Sequence, residues 1–345
     1  MPRVHFLNVG NGACSIIQHG SGRVSLIDIC NGSPVRRERT ETHFAAEALS
    51  SINKPRGDFK MRDHLTNPLQ YLVDNIGCSI FRFILTHPDM DHMDGIKALC
   101  DEVSIFNFWD SGVRRDKPDF GDNGPYREED WGQYELLRDG HVSDLTVVHP
   151  RAGSQFQFAN KGDPGDPDDE GDYLSVVAPN AALVQHANKS EDPNDGSYVL
   201  VYRTCGGKII FGGDAHDNTW EYIISHHKAA VHKCAVLIAP HHGRDSDRCY
   251  DFLDTLNPAI TLFGCAESEH LAYDAWNNRN LPYLTSNQAG NIVLDATNER
   301  VDVYAENLSF AKGLSTHDVR KTLNGATYIG TVEKPRLPER SGRNA

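Results

Sequence analysis

The feature that most restricts how this 345-residue chain can fold is the placement of ligand-capable side chains at the ends of its hydrophobic strands. His87-Pro88-Asp89-Met90-Asp91-His92 follows the apolar run FRFILT and precedes Met93-Asp94-Gly95 and a predicted helix. Four candidate ligands thus fall within six residues, on a tight loop where they can face inward together. Imidazole nitrogen and carboxylate oxygen suit Zn, Mn or Fe. Taken alone, the loop could also be an acidic turn with two incidental histidines. The placement recurs, however: Asp28 closes VSLI, Asp214 closes KIIFGG, and His241-His242 follow AVLIAP before Gly243. Asp28 by itself would pass for a turn former and Asp214 for a helix N-cap. Four separate coincidences of this kind are not expected, so the fold has to bring these strand ends together.

The rest of the chain is read around those points. HFLNV, ACSIIQ and RVSLIDI are short β-favouring runs separated by Gly10, Gly12, Gly20 and Gly22. A helix is predicted over Pro68 to Ile76. Strands return at YLSVVAP, SYVLVYR, KIIFGGD, AVLIAP and AITLFGC, with helices over Asn218 to His226 and through Cys249 to Leu256, and late strands at NIVLD and VDVYA. Strands alternating with helices indicate a layered α/β architecture. Two insertions interrupt it. Residues 31–67 are polar, with some helix around Phe44 to Ile52. Residues 111–171 are rich in Gly, Pro and Asp, and their acidic end, DPGDPDDEGD, reads as a solvated loop. One domain is expected over 1–311, and 312–345 reads as a partly mobile tail.

Composition excludes several classes. Hydrophobic content of 39% and charged content of 24% are those of an ordinary globular protein. No apolar run approaches the roughly 20 residues that span a bilayer, and the start lacks a signal-peptide pattern. The expectation is a cytoplasmic protein with no membrane partner. Eight cysteines without a CxxC pair argue for reduced, mostly buried thiols. The formal charge of −14 argues against tight binding of duplex nucleic acid. It argues less against a nuclease, because carboxylates gathered around cations are offset by the metal.

HPDMDHMDG resembles the HxHxDH motif of the metallo-β-lactamase superfamily. LIDI, FGGD and APHHG are similar to the superfamily's first, fourth and fifth conserved elements, in the expected order, over about residues 4–295. FLNVGNGACSII further resembles the FLDVGQGDA-like opening of the hydrolase domains of DNA-uptake competence proteins. PNDGSYVL, HHGRDSD and TSNQAG are similar to other elements of that branch. The resemblance implies a metallo-β-lactamase-type αββα sandwich carrying the two insertions, and two divalent metal ions, Zn or Mn, with Mg or Fe as alternatives. It implies that His87 and Asp89 hold one metal and Asp91 and His92 the other, that Asp214 bridges them, and that His242, in preference to His241, completes the second site. Asp28 would orient the ligand loop through hydrogen bonds.

The chain departs from the superfamily pattern in three places. Asp89 stands where the general motif has His. No GH-type histidine precedes the GD strand, which leaves Asn194 or Asp195 to approach the first metal or the substrate. Asn8 and Ala13 replace usual acids of the opening motif. An oxygen-rich first site raises the weight of Mn relative to Zn.

The implied chemistry is hydrolysis. Two cations about 3.5–4 Å apart would share a water and lower its pKa from about 15.7 towards neutrality. The hydroxide would attack phosphorus or a carbonyl while the cations stabilise the developing charge. Asp91 would orient it, and His241 or His242 would protonate the leaving group. Arg244 and Ser246 are placed either to touch a phosphate or to form a solvated loop in which Ser246 caps the next helix, and His216 to line the cleft. Trp109 is expected to pack, with Trp109 or Tyr126 the alternative candidates to stack on a base. The leading expectation is a phosphodiesterase or nuclease acting on a nucleotide or a small or single-stranded nucleic acid, with room for a protein partner in the same pathway. The alternatives are an ester, amide or lactone hydrolase on the same metal pair, and a non-catalytic partner or toxin-system component that keeps the fold.

Overall fold

The computed structural model describes all residues except 1, 32–58, 122–123, 167–168, 191, 247, 266–269, 315–320 and 336–345. The helix expected around Phe44 to Ile52 lies outside the described residues. In chain order the strands are β1 (Arg3–Phe6), β2 (Ser15–Gln18), β3 (Val24–Ile27), β4 (Ser79–Leu85), β5 (Ser104–Asp110), β6 (Thr146–Val148), β7 (Leu174–Ala178) and β8 (Val199–Thr204). They continue with β9 (Gly207–Phe211), β10 (Val236–Ile238), β11 (Ile260–Phe263), β12 (Tyr283–Thr285), β13 (Ile292–Asn298), β14 (Arg300–Ala305), β15 (Thr322–Leu323) and β16 (Ala326–Glu333). The longer helices are α1 (Pro68–Asn75), α2 (Ile96–Glu102), α3 (Glu128–Arg138), α4 (Ala181–Ser190) and α5 (Asp217–His226).

These strands form two sheets. One runs β15-β16-β14-β13-β1-β2-β3-β4-β5-β6, the other β12-β11-β10-β9-β8-β7. Side chains alternate across a strand, and here the alternation sorts residues into separate layers. Ile17 and Ile27 enter a core between the sheets together with Ile209, Phe211, Val236 and Ile238. Their neighbours Ile16 and Leu26 instead pack with Leu72 of α1, Leu99 of α2 and Trp131 of α3. On the second sheet Ile210 and Leu237 pack outward on Trp220 and Ile223 of α5. Each such buried aliphatic contributes about 1.5–3 kcal/mol. The result is helices, sheet, sheet, helices: the αββα sandwich that the motif resemblance implies. Among the described residues no helix is long and apolar enough to cross a membrane.

Strand direction positions the site. β3, β4 and β5 run parallel, as do β9, β10, β11 and β12. Parallel neighbours end on the same edge of their sheet, and loops at such edges are where α/β folds gather functional groups. The loops after β3 and β4 carry Asp28 and His87 to His92, and those after β9 and β10 carry Asp214 and His241-His242.

Three features differ from the sequence expectation. The insertion at 111–171 contains α3, whose Trp131, Tyr134 and Leu137 complete the core over β4, and the edge strand β6; acidic residues in its first turn mask the apolar face. Residues beyond 311 are not all tail. β15 and β16 extend the first sheet, and Ile329 and Val332 add to the core between the sheets. The acidic loop also does not end in solvent. Asp172 is buried because Arg82, in the middle of β4 and 2% exposed, needs a counter-charge: its Nη2 donates to Asp172 Oδ2 at 2.6 Å. Arg23 Nε and Ser21 Oγ also donate to this carboxylate.

Candidate metal centre

The chain leaves β3 through Asp28 in a left-handed conformation, φ 55°. The Asp28 carboxylate accepts hydrogen bonds from the Thr86 N–H at 2.7 Å and the Thr86 hydroxyl at 2.8 Å. It also lies 2.8 Å from His92 Nδ1, which fixes that ring and leaves its Nε2 to face the centre. There His92 Nε2 is 3.3 Å from Asp214 Oδ1. His87 Nε2 lies 3.9 Å from Asp214 Oδ2 and 3.7 Å from Asp89 Oδ2. His242 Nε2 is 3.4 Å from Asp91 Oδ2 and 3.7 Å from Asp214 Oδ2. Two ligand groups result, His87–His92–Asp214 and Asp91–His92–His242, each with its candidate ligand atoms within 4.8 Å of one another.

The backbone reaches this arrangement through strained turns. His241 and His242 both adopt left-handed φ, 51° and 59°, a conformation that costs non-glycine residues of order 1–3 kcal/mol each. Gly213, the residue before Asp214, has φ +50°, and a Cβ there would lie 2.4 Å from Ser197 Oγ. Only glycine fits, which explains the second Gly of FGGD. Ser197 Oγ in turn accepts the Asp214 N–H at 2.9 Å.

The residues fit a bound cation. Nε2 of His87, His92 and His242 and Oδ1 of Asp214 are buried and have no hydrogen-bond partner. Leaving a buried polar atom unpaired costs about 1–3 kcal/mol, so several converging on one volume need an explanation. Imidazole and carboxylate atoms together make a donor set for zinc or manganese. Charge points the same way. Burial alone would lower the His92 pKa, but the Asp214 and Asp28 carboxylates raise it well above the ordinary histidine range. Burial would raise Asp214, yet His92 and His242 hold it well below the usual carboxylate range. Asp91 is likewise held low, against its burial, by the neighbouring His242 and His92 imidazoles. The pocket favours positive charge at its centre.

His241 plays a different part. Its Nε2 lies 3.8 Å from Asp214 Oδ2, but it belongs to neither ligand group, and its side chain is 24% exposed where those of His87, His92 and His242 are 0–4%. Burial pushes its pKa down to about 4, so the ring is neutral at pH 7.

Several candidates lie outside the ligand groups. Asp89 is near His87, but its other oxygen pairs with Arg115 of the second insertion. Asp195 is 2.9 Å from Asn218 Nδ2 and 3.2 Å from His186 Nε2, facing α5 and α4. Asn194 has a buried, unpartnered Oδ1. His216 is the N-cap of α5, the position Asp214 could have filled. Arg244 donates to Asn11 O at 2.9 Å, and Ser246 Oγ is buried.

Thr86, Ser197, Arg115 and Arg248 escaped the sequence reading. Arg248, 6% exposed, donates from Nη1 to the carbonyls of Asp214 and Ala215. Thr86 alone carried a signal, as the polar last residue of FRFILT. The others are visible only as contacts.

Asp28→Asn keeps an acceptor for the Thr86 N–H but removes the charge opposite His92 Nδ1. Metal affinity should fall about 10- to 100-fold, the usual effect of losing such a partner, measured by Mn²⁺ and Zn²⁺ titration. Unchanged affinity would mean that Thr86 alone orients the ring.

No family model matches the chain, and no curated protein matches it. Among solved structures it is similar to the metallo-β-lactamase fold protein YhfI from Bacillus subtilis, at 9% identity and a TM-score of 0.45, over 83% of this chain and 96% of that one. It is similar also to a metallo hydrolase from Ignicoccus hospitalis, at 12% identity and a TM-score of 0.43, over 85% of this chain and 99% of that one. A third likeness is to the β-hydroxylase CmlA in a point-variant form, at 8% identity and a TM-score of 0.41, over 85% of this chain and 53% of that one. The likeness to the competence-type branch rests on the sequence motifs alone.

Proposed function

We propose that this chain is a dinuclear-metal-dependent hydrolase whose substrate is a phosphodiester, in a nucleotide or a short single-stranded nucleic acid. The observation that carries the reading is the convergence of unpartnered, buried imidazole and carboxylate atoms from three distant stretches of sequence: the 87–92 loop, Asp214 and the His241-His242 loop. His87, His92 and Asp214 would hold one cation, with Asp89 able to add an oxygen, and Asp91, His242 and the shared His92 and Asp214 the other. Such cations supply Lewis acidity, activating water and stabilising charge that develops on the substrate.

The chain's own groups do the rest. Asp91, held ionised by His242, accepts a hydrogen bond from an attacking water and so orients it. Asp28 and Thr86 keep His92 in one rotamer. His241, the most exposed imidazole of the cluster, faces the incoming substrate, and as a neutral ring it binds through one N–H rather than delivering a proton as imidazolium. The choice of a phosphodiester rests on the competence-type motifs, and that of a small substrate on the charge of −14, which repels long polyanions.

The test is hydrolysis of bis-p-nitrophenyl phosphate and of p-nitrophenyl acetate by chelator-treated protein, with Mn²⁺ or Zn²⁺ restored. Metal-dependent cleavage of the diester is expected. Cleavage of the acetate alone would transfer the site to ester chemistry, and cleavage of neither by metal-loaded protein would make it a binding protein.

A further inference from the structure

Arg115 belongs to an insertion, yet its guanidinium is delivered to the metal centre. Two anchors fix the backbone just before it: Val113, fully buried, packs on Val184 and Ala187 of α4, and the Arg114 N–H donates to Asn188 Oδ1 at 2.7 Å. From there Arg115 Nη1 donates to Asp89 Oδ1, while the opposite oxygen of Asp89 lies 3.7 Å from His87 Nε2. Asp89 is therefore shared between the ligand cluster and a cationic side chain. The Arg115 side chain is 41% exposed and that of Asp89 22%, which puts the pair at the mouth of the centre, open to solvent. A guanidinium offers five N–H donors in a fork that fits phosphate and carboxylate groups.

We propose that Arg115 is an anion receptor at the rim of the metal centre: an anionic group of the substrate takes the guanidinium from Asp89, and the freed carboxylate completes the first cation site. The proposal rests on the metal-centre reading above. It makes substrate anion and first-site cation bind cooperatively, because each favours the state in which Asp89 and Arg115 are apart. Arg115 then opposes metal loading until an anion arrives. An arginine that merely steadied a ligand would favour loading.

That difference in sign is the test. Chelator-treated full-length protein is titrated with Mn²⁺ by calorimetry, with and without inorganic phosphate, for the wild type, Arg115→Gln and Arg115→Lys. Without phosphate, the weaker Mn²⁺ site should tighten about twofold to fivefold in Arg115→Gln, the range measured for partly exposed ion pairs. Arg115→Lys, which keeps the charge, should stay near the wild type. Phosphate should strengthen Mn²⁺ binding more in the wild type than in Arg115→Gln. Unchanged or weaker Mn²⁺ binding by a folded Arg115→Gln protein overturns the proposal, as does an equal phosphate effect in both. If the wild type binds no more Mn²⁺ than Asp214→Asn does, the metal centre itself is wrong and the proposal falls with it.

Discussion

Asp214→Asn is expected to abolish metal-dependent turnover, lowering kcat by at least about a thousandfold while the protein stays folded. Its carboxylate is the group that meets all four imidazoles of the cluster, lying 3.3 Å from His92, 3.7 Å from His242, 3.8 Å from His241 and 3.9 Å from His87. The amide removes the charge that would hold two cations together, and with it the several kcal/mol of transition-state stabilisation they would supply. The fold should survive because the backbone at 214 is held independently, by Ser197 Oγ and Arg248. Metal content by ICP-MS should drop alongside kcat, with the circular dichroism spectrum unchanged. Full activity in this variant would remove the basis for the hydrolase assignment.

A pH signature should accompany the loss. In the metal-free wild type the depressed Asp214 contributes stability above the ordinary carboxylate range, and that contribution disappears as the pH falls through its folded value. His92, raised, contributes below its ordinary value near 6.5, and its share disappears as the pH rises through its folded value. Asp214→Asn should flatten both limbs of the stability profile.

The second large effect concerns stability alone. Asp172→Ala should cost about 3–5 kcal/mol, because it leaves Arg82 buried without its counter-charge. His19 cannot compensate: burial pushes it to about 3, so it is neutral, and although its Nε2 lies 3.4 Å from Arg82 Nη1 an uncharged ring supplies no counter-charge. The double replacement Arg82→Met with Asp172→Leu should recover most of the loss, since apolar residues of similar size often replace a buried ion pair at little cost. Urea unfolding curves for the three proteins measure both effects. A loss below about 1 kcal/mol in Asp172→Ala would mean that water reaches the Arg82 guanidinium.

The sequence alone determined the elements that repeat a local pattern: apolar strands of period two, the helices after them, and ligand-capable residues at their ends. His87, Asp91, His92, Asp214 and the pair His241-His242 could be named before any coordinates because each sits at such a boundary, and the motif resemblance favoured His242 within the pair. What tertiary structure decided depends on partners far apart in sequence. The pairing of Asp89 with Arg115 could not be read, since Arg115 lies in a loop without periodicity and 26 residues away. Nor could the burial of Asp172, whose acidic neighbours look solvated until Arg82 is placed 90 residues from it. The same holds for β15 and β16, whose short alternating run means little until β14 offers an open edge. Local propensity is written in neighbouring residues, whereas counter-charges and sheet edges are supplied by whatever the folded chain sets beside them.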